Sequence, residues 1–178
     1  MRHSQALAVD IDADGHFYIA DRFNFRVRRV DGETGIISTV AGSGAEGFLD
    51  DGIAPECSFS IIRDVLLDQR GGLYIADGGN SRIARLALDT GRIEIVAGRG
   101  GDGFSGDGGP ATAALLNKPY SIALDPGHNL YIFDDDNARL RRVDAQTGII
   151  TTVAGTGVRG FSGDGGPAMA ATMMSANT

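Results

Sequence analysis

The chain has 178 residues, of which 42% are apolar and 27 are glycine, and this composition favours a folded, turn-rich domain over a disordered chain. Its formal net charge of −7 disfavours a phosphate-backbone ligand, so we expect no nucleic-acid partner. No apolar run approaches the ~18 residues of a membrane span, so we expect no membrane partner either. The N-terminal residues also lack the apolar core of a signal peptide, and we expect none within this chain.

In chain order, each third of the sequence predicts four short strands. The first is LAVDI, DVLLD or SIALD, and the second is FYIAD or LYI. The third is RVRRV, RIARL or RLRRV, and the fourth is IISTVA, IEIVA or IITTVA. Because runs of Gly, Asn and Asp separate these β-branched and aromatic segments, each third predicts a four-stranded antiparallel meander.

The three thirds are copies of one repeat, because segments 17–42, 73–98 and 130–155 align without gaps. Repeats of this length with four strands are typical of propeller blades. We therefore predict an all-β fold, a β-propeller segment of three four-stranded antiparallel blades in a single domain, 1–178. The predicted blades span about 6–62, 63–119 and 120–178.

Three polar positions recur in every copy and are interpreted as structural. The Asp and Asn side chains are expected to organise the turn after the second strand, and the Arg side chains to form charge-assisted pairs with the Asp. The positions are Asp21, Asp77 and Asp134; Asn24, Asn80 and Asn137; and Arg26, Arg82 and Arg139.

A glycine-rich phrase joins one predicted blade to the next. GFSGDGGPA occurs at 103–111 and again at 160–168, and a variant, GFLDDGIAPECSF, occupies 47–59. Pro110 and Pro167 precede Ala-rich runs, which predicts one short helical turn in each linker. Since the phrase lacks the Lys and Ser/Thr of a P-loop, we interpret it as a linker and not as a phosphate site.

The segments NLYIFDDDNARLRRVD and LYIADGGNSRIARL resemble the NHL repeat, and the linker phrase is similar to that of bacterial NHL arrays and teneurins. The resemblance implies a ring of about six blades, of which this chain supplies half. Three blades in an arc would leave two apolar faces bare. Two alternatives remain open, a homodimer that closes the ring and a fragment of a longer array. The resemblance also implies an extracytoplasmic or secreted location.

One acidic segment invites comparison with a calcium loop. DIDADGHFYIAD places Asp10, Asp12, Asp14 and Asp21 at EF-hand spacing. Predicted strands flank this segment where an EF-hand needs helices, and the other two copies lose the carboxylates. A hairpin turn whose carboxylates bind backbone amides is the favoured interpretation, with Ca²⁺ as the alternative, so we expect no cofactor.

The function that we favour from the sequence is a non-enzymatic platform for a protein, peptide or glycan ligand, on the face where the linkers gather. The alternative, implied by similar propellers, is a metal-assisted lyase or lactonase acting on the propeller axis. Catalysis is disfavoured because His3, His16 and His128 share no repeat position. The candidate ligand-binding residues are Asp12, Asp68, Asp125, Asp102, Asp107 and Asp164.

Overall fold

The computed structural model describes residues 8–48 and 52–174. The first sheet contains β1 (Val9–Ile11), β2 (Phe17–Asp21), β3 (Arg26–Val30) and β4 (Ile37–Ala41). The second contains β5 (Gly52–Ile53), β6 (Ile62–Leu67), β7 (Gly72–Asp77), β8 (Arg82–Ala87) and β9 (Arg92–Ala97). The third contains β10 (Pro119–Leu124), β11 (Leu130–Asp134), β12 (Arg139–Val143) and β13 (Ile150–Ala154). His3 and the outer bounds of the predicted blades, residues 6 and 178, lie outside the described residues.

The predicted all-β fold of three four-stranded antiparallel blades is confirmed, because each sheet contains a meander of four strands that pair in chain order. The first strands of the blades form the inner side of the arc, where β6 contacts both β1 and β10. The second blade gains a fifth strand that the repeat did not predict. In it, the linker segment β5 pairs with the outer strand β9.

Two apolar cores hold the blades together, one at each boundary between neighbouring blades. We call the side of a blade that meets the preceding blade its leading face, and the opposite side its trailing face. Four paired positions carry an apolar row across the leading face of every blade. The rows are Ile11, Phe17, Val30 and Ile37; Leu67, Leu73, Leu86 and Ile93; and Leu124, Leu130, Val143 and Ile150.

The strand ends define two further surfaces. The linkers and the turns after each second strand lie together at one end, which we call the linker face; the remaining hairpin turns lie at the other end, the turn face. Each linker contains a single turn of 3-10 helix, as at Ala111–Ala113 and Ala168–Ala170, so the predicted helical turns are confirmed. In the described part of the chain, no helix is long and apolar enough to cross a membrane.

Backbone geometry requires a glycine at the first position of the second and third linkers. Gly98 and Gly155 have φ of +82° and +92°, and a Cβ on either would lie within 2.5 Å of a backbone carbonyl oxygen, that of Ser81 or Ala138. Only glycine adopts this conformation without strain, and it lets the linker turn back across the blade.

Candidate functional site

In the second and third blades the recurring Asn fastens the turn after the second strand to the linker that enters the same blade. Asn80 Nδ2 donates to the Asp77 carboxylate at 2.8 Å and to the carbonyl oxygen of Gly47 at 2.8 Å. Asn137 Nδ2 repeats both bonds in the third blade, to Asp134 at 2.8 Å and to the equivalent linker carbonyl at 2.7 Å. The repeat positions therefore act as clamps between a linker and its blade.

The second oxygen of each buried carboxylate binds the backbone where the inner strand begins. Asp77 Oδ1 accepts from the Ser60 amide at 2.9 Å, and Asp134 Oδ1 accepts from the Asn117 amide at 2.7 Å. Burial raises the pKa of both carboxyls, in Asp134 to about 6, although the hydrogen bonds oppose this shift. In the first blade, Asp21 Oδ1 accepts from Asn24 Nδ2 at 2.8 Å, as the equivalent carboxylates do in the other two blades.

The guanidinium that pairs with this carboxylate differs between blades. In the second blade Arg82 Nε lies 2.9 Å from Asp77. In the third blade the partner of Asp134 is Arg141, at 3.3 Å, whereas Arg139 donates to backbone carbonyls. The second blade has Ala84 where the third has Arg141, so Arg82 takes the position beside the carboxylate. The sequence expectation of one recurring Arg as the partner is thus correct for Arg82 and wrong for Arg139.

In the first blade the corresponding pair is looser. Arg28 Nη1 lies 3.7 Å from Asp21, and both side chains are partly exposed. Arg26 instead donates to the carbonyl oxygen of Ser43 at 2.9 Å, as Arg139 does to that of Thr156 at 2.7 Å.

A phenylalanine from each of the first two linkers covers the arginines of the next blade, a contact that the sequence analysis missed. The Phe48 ring lies 4.0 Å from the Arg82 guanidinium. The Phe104 ring lies 3.9 Å from that of Arg139 and 4.8 Å from that of Arg141. Such stacking stabilises a cation that is withdrawn from water. The signal was present in the sequence as a Gly-Phe pair that recurs in every linker.

Three side chains from three blades converge where the inner strands meet the linker face, and we call them the axial cluster. Arg22 lies in the turn after β2, Arg63 near the start of β6, and Tyr120 near the start of β10. The Arg63 guanidinium lies 5.1 Å from the Tyr120 ring, and that of Arg22 lies 4.9 Å from the Phe23 ring. Burial and then the nearby Arg63 charge lower the pKa of Arg22.

The arginine of the first blade in this cluster has an incompletely satisfied side chain. Its Nε atom is buried and has no hydrogen-bond partner within residues 8–48 and 52–174. A buried donor without a partner is costly, and two neighbouring cations repel each other. An incoming acceptor group would relieve the cost of the unpaired Arg22 Nε.

The candidate residues Asp12, Asp68 and Asp125 lie in the first hairpin turns, on the turn face. Each carboxylate binds backbone amides of its own turn, for example Asp68 with those of Arg70 and Gly72 at 2.7 and 2.8 Å. Asp68 also accepts from Arg85, which lowers its pKa although burial opposes the shift. These three carboxylates are therefore occupied by local bonds within the hairpin turns of the turn face.

The linker candidates Asp102, Asp107 and Asp164 lie on the linker face in three different environments. Asp102 accepts from the Ser81 hydroxyl at 2.6 Å. Asp107 pairs with Arg141 at 2.8 Å. Asp164, the equivalent of Asp107 in the following linker, is exposed. Asp102 thus binds the blade that precedes its linker and Asp107 the blade that follows it, whereas no blade after Asp164 is among the described residues.

The structure does not bring the four weak metal candidates to one point. Asp12 and Asp14 lie close together, joined by His16, with ligand atoms within 4.8 Å of one another. Asp10 instead accepts from the Leu67 amide of the next blade at 2.8 Å. Asp21 lies at the other end of β2 and binds the turn there. The spacing in the sequence resembles that of a calcium loop, but β2 places Asp21 at the end of the strand opposite to the turn that holds Asp12 and Asp14.

A comparison with protein-family models found no match. Among curated proteins, the chain is 34% identical to NHL repeat-containing protein 2 of Gallus gallus over 57% of its length, and 31% identical to teneurin-3 of Danio rerio over 84%. It is 29% identical to protein SUPPRESSOR OF QUENCHING 1, chloroplastic, of Arabidopsis thaliana over 74%. The chain spans 14%, 5% and 13% of these proteins, respectively.

Solved structures share the fold at low sequence identity. A structural genomics protein of unknown function from Bacteroides thetaiotaomicron matches 94% of this chain and 40% of its own length, with a TM-score of 0.73 and 20% identity. A chain of a nidogen/laminin complex gives a TM-score of 0.59 at 17% identity, and the match covers 84% of this chain and 48% of that one. Virginiamycin B lyase from Staphylococcus aureus gives a TM-score of 0.57 at 13% identity, and the match covers 84% of this chain and 41% of the lyase chain. The three blades thus correspond to less than half of each of these larger chains.

Proposed function

This chain is an NHL-repeat region, homologous to NHL-repeat proteins and teneurins, and on that premise we propose that its linker face is a non-enzymatic binding platform for a protein, peptide or glycan ligand. The group that we expect the ligand to present is a carboxylate. The platform comprises the axial cluster and the linkers that surround it.

The observation that carries this proposal is the axial cluster. Arg22 and Arg63 lie near enough for the charge of Arg63 to lower the pKa of Arg22, in a chain whose formal net charge is −7. Arginine binds carboxylates through paired hydrogen bonds, and such charge-assisted bonds are stronger where water is excluded. Tyr120 adds an aromatic surface of the kind that is enriched at protein interfaces.

A similar propeller in a nidogen/laminin complex supports a role in protein binding, since it occurs there in a complex with another protein. The likeness concerns the fold, and the partner of this chain does not follow from it. The charge and chemistry of the axial cluster are what indicate an acidic group.

Peptides selected on the wild-type chain from a displayed random library would test the proposal. We expect the selected peptides to be enriched in Asp and Glu, and to bind Arg22→Ala at least about tenfold more weakly because a charge-assisted bond is lost. Arg70→Ala is the matched control, because Arg70 is an exposed arginine on the turn face. Equal loss in both variants, or selected peptides without carboxylates, would contradict the proposal.

The alternative function, a metal-assisted lyase or lactonase on the axis, makes a different prediction. It requires a stoichiometric metal ion, whereas the platform should keep its fold and its peptide affinity in a chelator. Elemental analysis of the purified chain and a binding measurement in EDTA separate the two. If metal were found, Asp12, Asp68 and Asp125 would be the first residues to replace.

A further inference from the structure

The leading face of the first blade is an apolar surface without a neighbour among the described residues. In the second blade the equivalent row is fully buried, with Leu73 at 0% exposure and Ile93 at 3%. In the first blade Phe17 is 38% exposed, Ile37 49% and Ile11 50%. An apolar row of this extent on one sheet is typical of a surface that another sheet covers.

The boundary between the second and third blades shows how a linker completes such a surface. The Gly108 amide donates to the Ile150 carbonyl at 2.8 Å, and the Ile150 amide donates to the Gly109 carbonyl at 3.0 Å. The Ala111 amide donates to the Gly148 carbonyl at 2.9 Å. The linker thus adds a strand to the outer edge of the blade that follows it, as β5 does for β9.

The first and third blades carry the two halves of the same contact, each without its counterpart. Gly35 in the turn before β4 and Ile37 at the start of β4 occupy the positions of Gly148 and Ile150, and Ile37 is exposed. After the third blade, the linker repeats the phrase that binds Ile150, and it places Phe161 and Asp164 at the positions of Phe104 and Asp107. Phe161 is 86% exposed, which is unusual for an aromatic side chain.

We propose that the linker of the third blade docks onto the first blade of a second copy of this chain. By repeat equivalence, Phe161 would stack on Arg26, and Asp164 would pair with Arg28. The backbone of Gly165 and Gly166 would bind that of Ile37, adding a strand to the free edge of β4. The trailing face of the third blade would then cover the exposed apolar row.

Charge and symmetry favour a second copy as the occupant. The arginines that Phe161 and Asp164 fit are present on the first blade of the chain itself, and Arg28 is left with a loose partner at 3.7 Å. Two copies of a three-bladed arc complete six blades around a twofold axis, so the same contact forms twice and no sheet face stays bare. Six blades also form the ring of the similar solved propellers.

Charge reversal combined with a measurement of solution mass tests this inference. We expect the wild-type chain to have about twice the 18.5 kDa of one chain. Asp164→Arg and Arg28→Asp should each reduce the mass to that of one chain, because two like charges then meet at both contacts. An equimolar mixture of the two variants should restore the doubled mass. In the mixed dimer one contact keeps the native pair of Asp164 and Arg28, and the other has the same pair with its charges exchanged.

Two controls keep the result interpretable. Phe161→Ala should also abolish the doubled mass while leaving the fold intact, since the ring is exposed, and circular dichroism checks the fold. Asp89→Arg introduces the same charge at an exposed turn outside the contact and should leave the mass doubled. A wild-type mass of one chain, as expected if the ring is closed by blades elsewhere in a longer polypeptide, overturns the inference. So does an open polymer, or a mixture that stays monomeric.

Discussion

The first and third blades carry the same charged pair at the end of the second strand, and its surroundings differ. Asp134 and Arg141 are both fully buried, whereas Asp21 and Arg28 have side chains 20% and 28% exposed. The difference comes from the linker that enters the third blade, which supplies Phe104 and Asp107 as a cover. A repeat position is therefore buried by the neighbouring unit and not by its own blade, as expected for one-dimensional arrays.

The largest expected effect that tests this comparison is the loss of a buried partner. Arg141→Ala leaves the Asp134 carboxylate buried beside an empty space, and we expect it to lower the free energy of unfolding by about 3–5 kcal/mol. The equivalent change Arg28→Ala should cost about 1 kcal/mol or less, because a partly exposed pair is screened by water.

Urea unfolding measures both changes, and it is best done in a Phe161→Ala background so that the first blade stays open. The comparison would fail if Arg28→Ala cost as much as Arg141→Ala. In that case the contribution of the Asp–Arg pair to the free energy of unfolding would not depend on whether a linker covers it.

A second, somewhat smaller effect concerns the apolar rows. Leu73→Ala removes a side chain that is 0% exposed and should cost about 2–5 kcal/mol through lost contacts and a cavity. Phe17→Ala at the equivalent position of the first blade should cost less than half as much while that face is open. Thermal unfolding in the same background provides the measurement, and equal costs would show that the first blade is as well packed as the second.

The smallest effect is the pH dependence that Asp134 contributes. Because burial raises its pKa in the folded state to about 6, above the 3.8 of an ordinary aspartate, its stabilising contribution is complete below about pH 4 and declines as the pH rises through 6. The decline is at most about 3 kcal/mol. We expect the stability of the wild type relative to Asp134→Asn to be greater at pH 5 than at pH 7.5.

The carboxylate of Asp31 serves as a reference of opposite sign. Hydrogen bonds from the Thr34 amide and hydroxyl lower its pKa to about 2, so its contribution is present above pH 3.8 and disappears as the pH falls towards 2. It does not change between pH 5 and 7.5. A constant difference between the wild type and Asp134→Asn over that interval would contradict the raised pKa of Asp134.

Much of the fold could be predicted from the sequence because each repeat spells out four strands and their turns. The clamp residues were found because Asp, Asn and Arg recur at fixed intervals. The pairing of Arg141 in place of Arg139 could not be found in this way. It depends on which guanidinium the neighbouring linker leaves beside the carboxylate, and Ala84 changes that choice in the second blade.

The axial cluster could not be predicted from the sequence for a related reason. Arg63 and Tyr120 occupy equivalent repeat positions but are chemically different, and Arg22 aligns with a glycine and an aspartate. A pattern search looks for what the copies share, whereas a binding surface on a propeller is built from the positions at which they differ.

Local pattern by itself determined the strands, the turns, the apolar row of each blade and the repeat that makes the blades stack. These follow from alternation and turn chemistry within about 57 residues, so they can be read from one copy. Only the tertiary structure decided which rows and charged pairs are withdrawn from water and which three side chains meet at the inner edge. Burial and convergence are properties of neighbouring blades, and no single blade encodes them.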